Sequence, residues 1–554
     1  MIPVKPITTC EFISMLQRCK PPTGWPGKLA IANSGGPDST CLSFLLNDVL
    51  RKVKENDATQ AGKWFGELIS LNVDHQFQPC SSEMSLKTAN ISHSLGIPHE
   101  TLQIPWGSPP YTAKPSPGQS FEEIARDARY TLLLSAMCRY GADAIASGHH
   151  ADDQSEILLM RLENGTGFFG LGGMKPFRRF GMGEGSPGQM GCYGIDGMQR
   201  WIIRPMLGVS KDRVLATCEE HGLEYVTDKT NFQPEVTFRN AVRHALARGK
   251  ITDIIRHGKT LQRAAANAER LGVPLMLLDG IESLRSLAGA YAAEVEMVEA
   301  EARTILRDCA VPSPPSTIFL SQDKLSQITN PLTQRSIVIQ ILRFVSPHPW
   351  GSPRAEGSRK LASLDRIVSI LFNHCSDKIS GKRIAFSAGS HVLWTPVYIK
   401  PDGQVKREKP ASSRGGWTEG WIASRLPPYT CAIGSLGLDI DITSLILNKR
   451  PSGNRVEVLY DNRFILSFDP HAIPEKVFER LRTPSGEHRL VVTATGKYFL
   501  PRLVLRSSNG DDIIREIGAS DTTPEVGSVV TVSGSDGHSP GAGWVSWRLA
   551  RVFE

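Results

Sequence analysis

Six consecutive residues, Ser34-Gly35-Gly36-Pro37-Asp38-Ser39, stand between the apolar run KLAIAN (28–33) and a segment, TCLSFLLNDVLRKV (40–53), whose apolar residues recur at helical spacing. Backbone N–H groups in a Gly-rich turn that opens a helix can converge on an anion, and the helix N-terminus adds partial positive charge. The hydroxyls of Ser34 and Ser39 add donors. That chemistry is phosphate binding, and Asp38 belongs beside a polyanion only if a cation lies between them. The stretch lacks a Gly-Lys-Ser/Thr ending, so the loop-lysine ATPase pattern does not apply.

A second constellation lies in SGHHADDQSE (147–156). If a helix begins near Ala151, Asp153 and Glu156 share one face and His149 sits at the strand end before it. Acids also favour a helix's first turn for their own sake, so a solvated helix start is the plainer alternative. In LNVDHQF (71–77), the backbone near Asn72, Val73 and Asp74 lies at a strand's carboxyl end, where open parallel sheets bind ligands; Asp74 and His75 also read as a strand-end cap. Arg129, in ARDARY (125–130), reads by itself as an arginine on the surface of an amphipathic helix. NGTGFFGLGGM (164–174) reads as a Gly-rich active-site loop, with Arg161 and Lys175 beside it. Arg239, Arg243, Arg248, Lys250, Arg256 and Lys259 face only Asp253 over the same interval, which suits a nucleic-acid backbone or a solvated helix face.

These residues need a scaffold, and the pattern supplies one. Strands at 28–33, 67–75, 99–104 and 143–150 alternate with helical segments at 40–53, 83–96, 120–141 and from 151, which predicts an α/β fold with a parallel sheet covered by helices on both faces. WIIRPML (201–207) adds an extended segment, and SKDRVLATCEEHG (210–222) a helix capped by Ser210. Two Gly/Pro-rich inserts, 105–120 and 180–199, read as mobile loops. The division expected is an N-terminal segment (1–27), a nucleotide-binding domain (28–235), a helical connecting domain (236–345) and a mixed, β-rich C-terminal region (359–554).

Composition narrows the class. An apolar fraction of 40% with no run of ~18 apolar residues argues against a membrane span. The excess of 63 Lys plus Arg over 56 Asp plus Glu tolerates a polyanionic partner without requiring one. None of the ten cysteines falls in C-x-x-C spacing, so reduced intracellular thiols are expected, with Cys41 a small packing residue. Lys5, Arg18 and Lys20 against the single Glu11 admit an organellar presequence beside an ordinary first helix, hence a cytoplasmic site or, for a eukaryotic source, a mitochondrial one.

The string S-G-G-x-D-S resembles the PP-loop of the N-type ATP pyrophosphatases, which split ATP between its α- and β-phosphates and adenylate a carbonyl oxygen. LNVDHQF, ARDARY, SGHHADDQSEILLMRLENGTGFFGLGGM, IIRPML, DKTN (228–231) and FRNAVR (238–243) follow in order, and each is similar to a segment of the tRNA(Ile)-lysidine synthetase family. LYDNRF (459–464) resembles that family's C-terminal region more weakly.

The resemblance implies ATP-dependent attachment of free lysine to the 2-position of the cytidine at the first anticodon position of a tRNA(Ile) with a CAU anticodon. An adenylated cytidine forms, and pyrophosphate and AMP leave. It implies that Ser34 to Ser39 and Asn72 to Asp74 bind ATP and that Asp38 lies by Mg2+. Asp38, Arg129, His149, Asp153 and Glu156 become the catalytic candidates. Asp153 and Glu156 are placed to hold the lysine ammonium, whose ordinary pKa of ~10.4 demands a proton acceptor, taken here to be Asp153. His150 is given no catalytic part. Arg161, Lys175, Arg204, Arg239 and Arg243 become tRNA contacts, the C-terminal region is expected to touch tRNA, and Phe168, Phe169 and Trp201 are available to stack on splayed bases.

Three departures stand out: Asn33 where the family has an apolar residue, Pro37 at the variable loop position, and DKTN for DPSN. Two other functions remain open, a thiolase-like PP-loop tRNA modifier and a noncatalytic tRNA-binding relative. Oligomeric state is open too, a homodimer among the options.

Overall fold

Side-chain alternation along the first strand sets the architecture. Leu29 and Ile31 of β1 (Lys28–Ala32) enter one apolar cluster with Leu42, Leu45 and Val49 of α2 (Pro37–Asn56), while Ala30 enters another with Leu133, Leu134 and Met137 of α4 (Phe121–Tyr140). A strand apolar on both faces must be covered twice, and it is. The computed structural model describes residues 3–56, 64–116, 121–227, 262–311, 313–352, 354–355, 361–372, 383–400, 404–408, 416–427, 438–483, 486–496, 498–516 and 543–551. The chain divides into two compact units, 1–297 and 298–554.

In the first unit, β1, β2 (Glu67–Asp74), β3 (His99–Gln103), β4 (Ala144–Ser147) and β6 (Trp201–Ile203) are parallel, and β5 (Phe177–Arg179) adds an antiparallel edge, in the order β3-β2-β1-β4-β6-β5. The α/β class and the parallel sheet are as the alternation predicts. β1 lies between β2 and β4, so the strand order reverses between β1 and β4. The carboxyl ends of two such strands leave a crevice between the loops that follow them. The loop after β1 carries the Ser34–Ser39 string, and the segment after β4 carries His149 to Glu156.

The N-terminal segment belongs to this core: Phe12 and Leu16 of α1 (Thr9–Gln17) are fully buried in the cluster with α2 and with Val214 and Cys218 of α8 (Lys211–Glu220). α5 (Ala151–Glu163) packs Leu158, Leu159 and Leu162 on Ala264 and Ala268 of α9 (Gln262–Arg270) and on Leu284 and Ala288 of α10 (Ile281–Cys309). Between them in sequence lie α3 (Ser81–Ser94), α6 (Phe168–Leu171) and α7 (Gly194–Met198). The inserts read as mobile loops are tied down instead. The Trp106 indole donates to the His75 carbonyl at 3.1 Å, Lys114 Nζ to the Gln76 carbonyl at 2.7 Å, and Gly191 N–H to Thr131 Oγ1 at 3.1 Å.

Among the described residues the second unit holds three antiparallel sheets, which agrees with the β-rich expectation for its C-terminal part. Their longest strands are Val392–Ile399 with Thr418–Arg425, Pro501–Ser507 with Gly510–Glu516, and Val456–Tyr460 with Phe464–Phe468. Helices Pro331–Val345 and Leu361–Phe372 cover the first. No helix among the described residues is long and apolar enough to cross a membrane.

Candidate active site

The loop after β1 is fixed from both sides. Gly35 has φ +77°, and a Cβ there would lie 2.1 Å from Thr88 Oγ1, so backbone handedness and space both demand glycine. Asn33, the residue that departs from the family pattern, is buried at the centre of a polar network. Its Nδ2 donates to Ser70 Oγ and Ser92 Oγ, both at 3.1 Å, and its Oδ1 accepts from Gly35 N–H at 2.9 Å. The departure therefore anchors the loop. Pro37 is the first residue of α2, where a missing N–H costs nothing and a fixed φ suits the helix. Ser34 is exposed, Ser39 buried, and their hydroxyls lie 3.3 Å apart at the helix N-terminus.

Asp38 has two cationic neighbours. Lys211 Nζ, from the first residue of α8, lies 2.5 Å from Asp38 Oδ1, and His150 Nε2 lies 3.5 Å from the same oxygen. Burial pushes the Asp38 carboxyl up, but His150 and then Lys211 outweigh it and hold its pKa below the usual carboxylate range. Burial works against a charged His150 ring, yet its hydrogen bond to Asp38 and the charges of Asp153 and Asp38 hold its pKa above 6.5.

The β4–α5 segment touches the loop directly. A Cβ on Gly148 would lie 2.9 Å from both the carbonyl carbon and the carbonyl oxygen of Asp38, so only glycine lets the two segments meet. His150 caps α5, and its N–H donates to Asp153 Oδ2 at 3.0 Å. His149 Nδ1 lies 2.9 Å from Ser147 Oγ. Asp153 and Glu156 are both buried, which separates them from the solvated helix start the sequence also allowed. Gln154 exchanges two hydrogen bonds with the backbone of Met174, at 2.7 and 3.0 Å, and so holds the Gly-rich loop against α5. Asp152 is taken by Arg285 of α10 in a two-pronged pair, 2.8 Å for each bond.

At the end of β2, Asn72 Oδ1, Asp74 Oδ2 and His75 Nδ1 are buried polar atoms without a partner among the described residues. Buried polar groups are normally bonded, so this end of the sheet suits a polar ligand. Asp74 Oδ1 meanwhile accepts from Gln76 N–H at 2.8 Å, the cap that sequence allowed. Burial and then the charge of Arg129 bring the His75 ring down to about 4, which puts α4's Arg129 close to this end. Val73 is half-buried between them.

Of the sequence candidates, the structure brings together Ser34 to Ser39, His149, Asp153 and Glu156, with Asn72 to Asp74 on the next strand. Arg161, expected at RNA, donates to the carbonyls of Gly170 and Gly173 and braces the Gly-rich loop. Lys175 is exposed, while Arg204 is buried and donates to the Lys175 carbonyl at 3.0 Å. Trp201 is buried with its indole on Thr23 Oγ1, so it cannot stack on a base. Phe168 and Phe169 pack edge to face beside Tyr291. Arg239, Arg243 and the basic run to Lys259, with DKTN, lie outside the described residues. Lys211 was missed, and no local pattern marks it; His150, given no catalytic part from sequence, lies beside Asp38. Sequence spacing shows no close cysteine pair, yet Cys41 of α2 and Cys218 of α8 meet through a hydrogen bond under the loop. Both are buried, and that bond with burial pushes the Cys41 thiol far up.

A glycine-bearing loop between a strand and a helix N-terminus, set at the reversal of a parallel sheet, defines a phosphate-binding domain of the PP-loop class. A family model described as PP-loop domain matches residues 13–249. A tRNA(Ile)-lysidine synthase from Methylobacterium nodulans is 29% identical over 394 residues, covering 70% of this chain and 93% of that protein. One from a Bradyrhizobium species is 32% identical over 289 residues, covering 51% and 68%. A probable tRNA(Ile)-lysidine synthase from Schizosaccharomyces pombe is 32% identical over 222 residues, covering 40% and 44%. This chain belongs to the tRNA(Ile)-lysidine synthase family, a family of ligases.

Proposed function

We propose that this protein joins free L-lysine to the 2-position of the cytidine at the first anticodon position of a tRNA(Ile) with a CAU anticodon, using ATP and releasing pyrophosphate and AMP. The observation that carries the reading is the meeting of the loop after β1 with the acid-bearing start of α5, in contact through Gly148 at the strand reversal.

The amides of the Ser34–Ser39 loop and the Ser34 and Ser39 hydroxyls would cradle the phosphates, and the partnerless atoms at Asn72, Asp74 and His75 would meet the rest of the nucleotide. Stabilising charge on departing pyrophosphate is what such donors do best. Among the described residues no group of three or more His, Cys, Asp or Glu side chains gathers as for an all-protein metal cage. One carboxylate suffices for Mg2+, which is commonly held by a single acid and the nucleotide's own phosphates, so Asp38 fits that role. When bound, the ion would neutralise phosphate charge. Arg129, near the β2 end, would support the same anion.

Asp153 and Glu156 would hold the lysine ammonium in a low-dielectric site, and Asp153 would take the proton that frees the amine to attack the adenylated cytidine, AMP leaving. His149 would orient the reacting base. An RNA substrate places this work inside a cell or an organelle.

A thiolase-like reaction needs an accessible nucleophilic sulfur, and both members of the Cys41–Cys218 pair are buried, although their hydrogen bond pushes Cys41 up and holds Cys218 below the ordinary thiol range. The deciding experiment incubates the protein with ATP, a CAU anticodon stem-loop RNA, and either labelled lysine or a sulfur donor. Lysine in the RNA supports the proposal; sulfur, or neither, overturns it. Unchanged biological activity in Asp38→Ala and Asp153→Ala variants would instead favour a noncatalytic RNA-binding role.

A further inference from the structure

We infer that Arg126, Arg178 and Arg204, gathered around Tyr130, form a second anion pocket that takes a phosphate group. Arg126 and Arg129 of α4 lie over the Tyr130 ring, their guanidinium carbons 5.0 and 5.5 Å from its centroid. Arg178 reaches the Tyr130 hydroxyl from β5 and also donates to the carbonyls of Arg179 and Phe180 at 2.9 and 3.0 Å. Arg204, at the end of β6, is only 4% exposed, and its Nε has no partner among the described residues.

Several cations are thus packed about one neutral phenol. Among the described residues no carboxylate pairs with Arg126, Arg178 or Arg204. Asp127 lies against the turn at Gly191, its carboxyl raised by burial and by Glu123 while the charge of Arg126 works the other way. At half-buried Arg178 and buried Arg204, charge without a paired carboxylate among the described residues is costly, and an orphaned buried donor adds to the cost. A phosphate would relieve both. The effect on neighbours is visible: burial and Arg178 bring Arg204 down to about 10, and although burial pushes the Tyr130 hydroxyl up, Arg126, Arg129, Arg178 and Arg204 bring it down to about 8.

The strand alternation of β5 shows that the cluster is built on one face: Arg178 faces Tyr130, while its neighbour Arg179 stacks on Trp201, 4.5 Å from the ring centroid. The phosphate could come from the leaving pyrophosphate or from the backbone of the RNA, and only this choice of source rests on the proposed reaction.

The test uses the full chain with inorganic phosphate as probe. Tyrosinate absorbance is titrated in the parent and in Tyr130→Phe, which identifies the Tyr130 step. Phosphate in the pocket cancels part of the arginine field, so the step beginning near pH 8 must move upward, and less so in Arg126→Ala, where an exposed side chain is removed without disturbing the core. Pyrophosphate and anticodon stem-loop RNA are then measured separately against Arg126→Ala and Arg178→Lys. Loss of about tenfold in pyrophosphate affinity assigns the leaving group, and a similar loss for RNA, with a shallower salt dependence, assigns the RNA backbone. A Tyr130 step that phosphate leaves in place, with both affinities unchanged, overturns the pocket. Failure of the parent to incorporate lysine would sink the proposed reaction and leave the phosphate result standing.

Discussion

Two buried arginines, Arg463 in the second unit and Arg204 in the first, are treated in opposite ways. In the second unit, Arg463 follows a hairpin turn made by Asp461 and Asn462, both at positive φ. It is 0% exposed and donates from Nε to Asp461 at 2.7 Å and from Nη2 to the Phe499 carbonyl at 2.8 Å. Arg551 nearby donates to the carbonyls of Asn462, Arg343 and His348. In the first unit, Arg204 is also buried, but among the described residues it has one carbonyl and an Nε without a partner. Where every donor is used, a buried charge is a staple that fixes turns and chain ends. Where donors are left over at the mouth of a parallel sheet, the charge is available to a ligand.

That contrast can be broken experimentally. Asp38→Ala should lower ATP–pyrophosphate exchange by about 10³-fold, near 4 kcal/mol, with the fold intact by circular dichroism. Full exchange in this variant would remove the loop from the chemistry. Arg463→Ala should behave in reverse, costing about 3 kcal/mol of stability by denaturant unfolding because Asp461 loses one of its two arginines, while exchange well below the transition persists. If it abolishes exchange in a folded protein, the division into staple and site fails. Gly148→Ala should cost about 1–3 kcal/mol and lower exchange as well, since the new Cβ must displace the Asp38 backbone. Normal activity there would show that the contact is slack.

The smallest effect is a pH dependence. The raised pKa of His150 gives stability that is fully present below 6.5 and lost as pH rises through its folded value; the lowered pKa of Asp38 gives stability present above 3.8 and lost as pH falls through its folded value. The pair is strongest between those limits. His150→Gln should flatten the alkaline limb by less than about 1 kcal/mol in urea unfolding at about pH 6 and pH 8. An unaltered limb would detach His150 from Asp38.

Much of this was legible because strand and helix periods, turn glycines and short motifs are local. The string at 34–39 sits between β1 and α2 as read, and the acids at 153 and 156 share one helix. What sequence could not give was charge pairing at a distance. Lys211 meets Asp38 across 173 residues, and Asn33 meets Ser92 across 59. Asn33 stood out only as a departure because its hydrogen-bond partners, Ser70 and Ser92, lie on other elements. Cys41 and Cys218 were far apart for the same reason, as were the two inserts from the carbonyls and hydroxyls that hold them.

Gly148 also has a genetic consequence. Every single-base change of a glycine codon that alters the residue specifies either a stop or a side chain with a Cβ, and a Cβ at this point meets Asp38 at 2.9 Å. Chance variation therefore has no one-step route through the position that leaves the contact intact. A lineage could change it only after the 34–39 loop had first moved away, so the two segments are bound to drift as one.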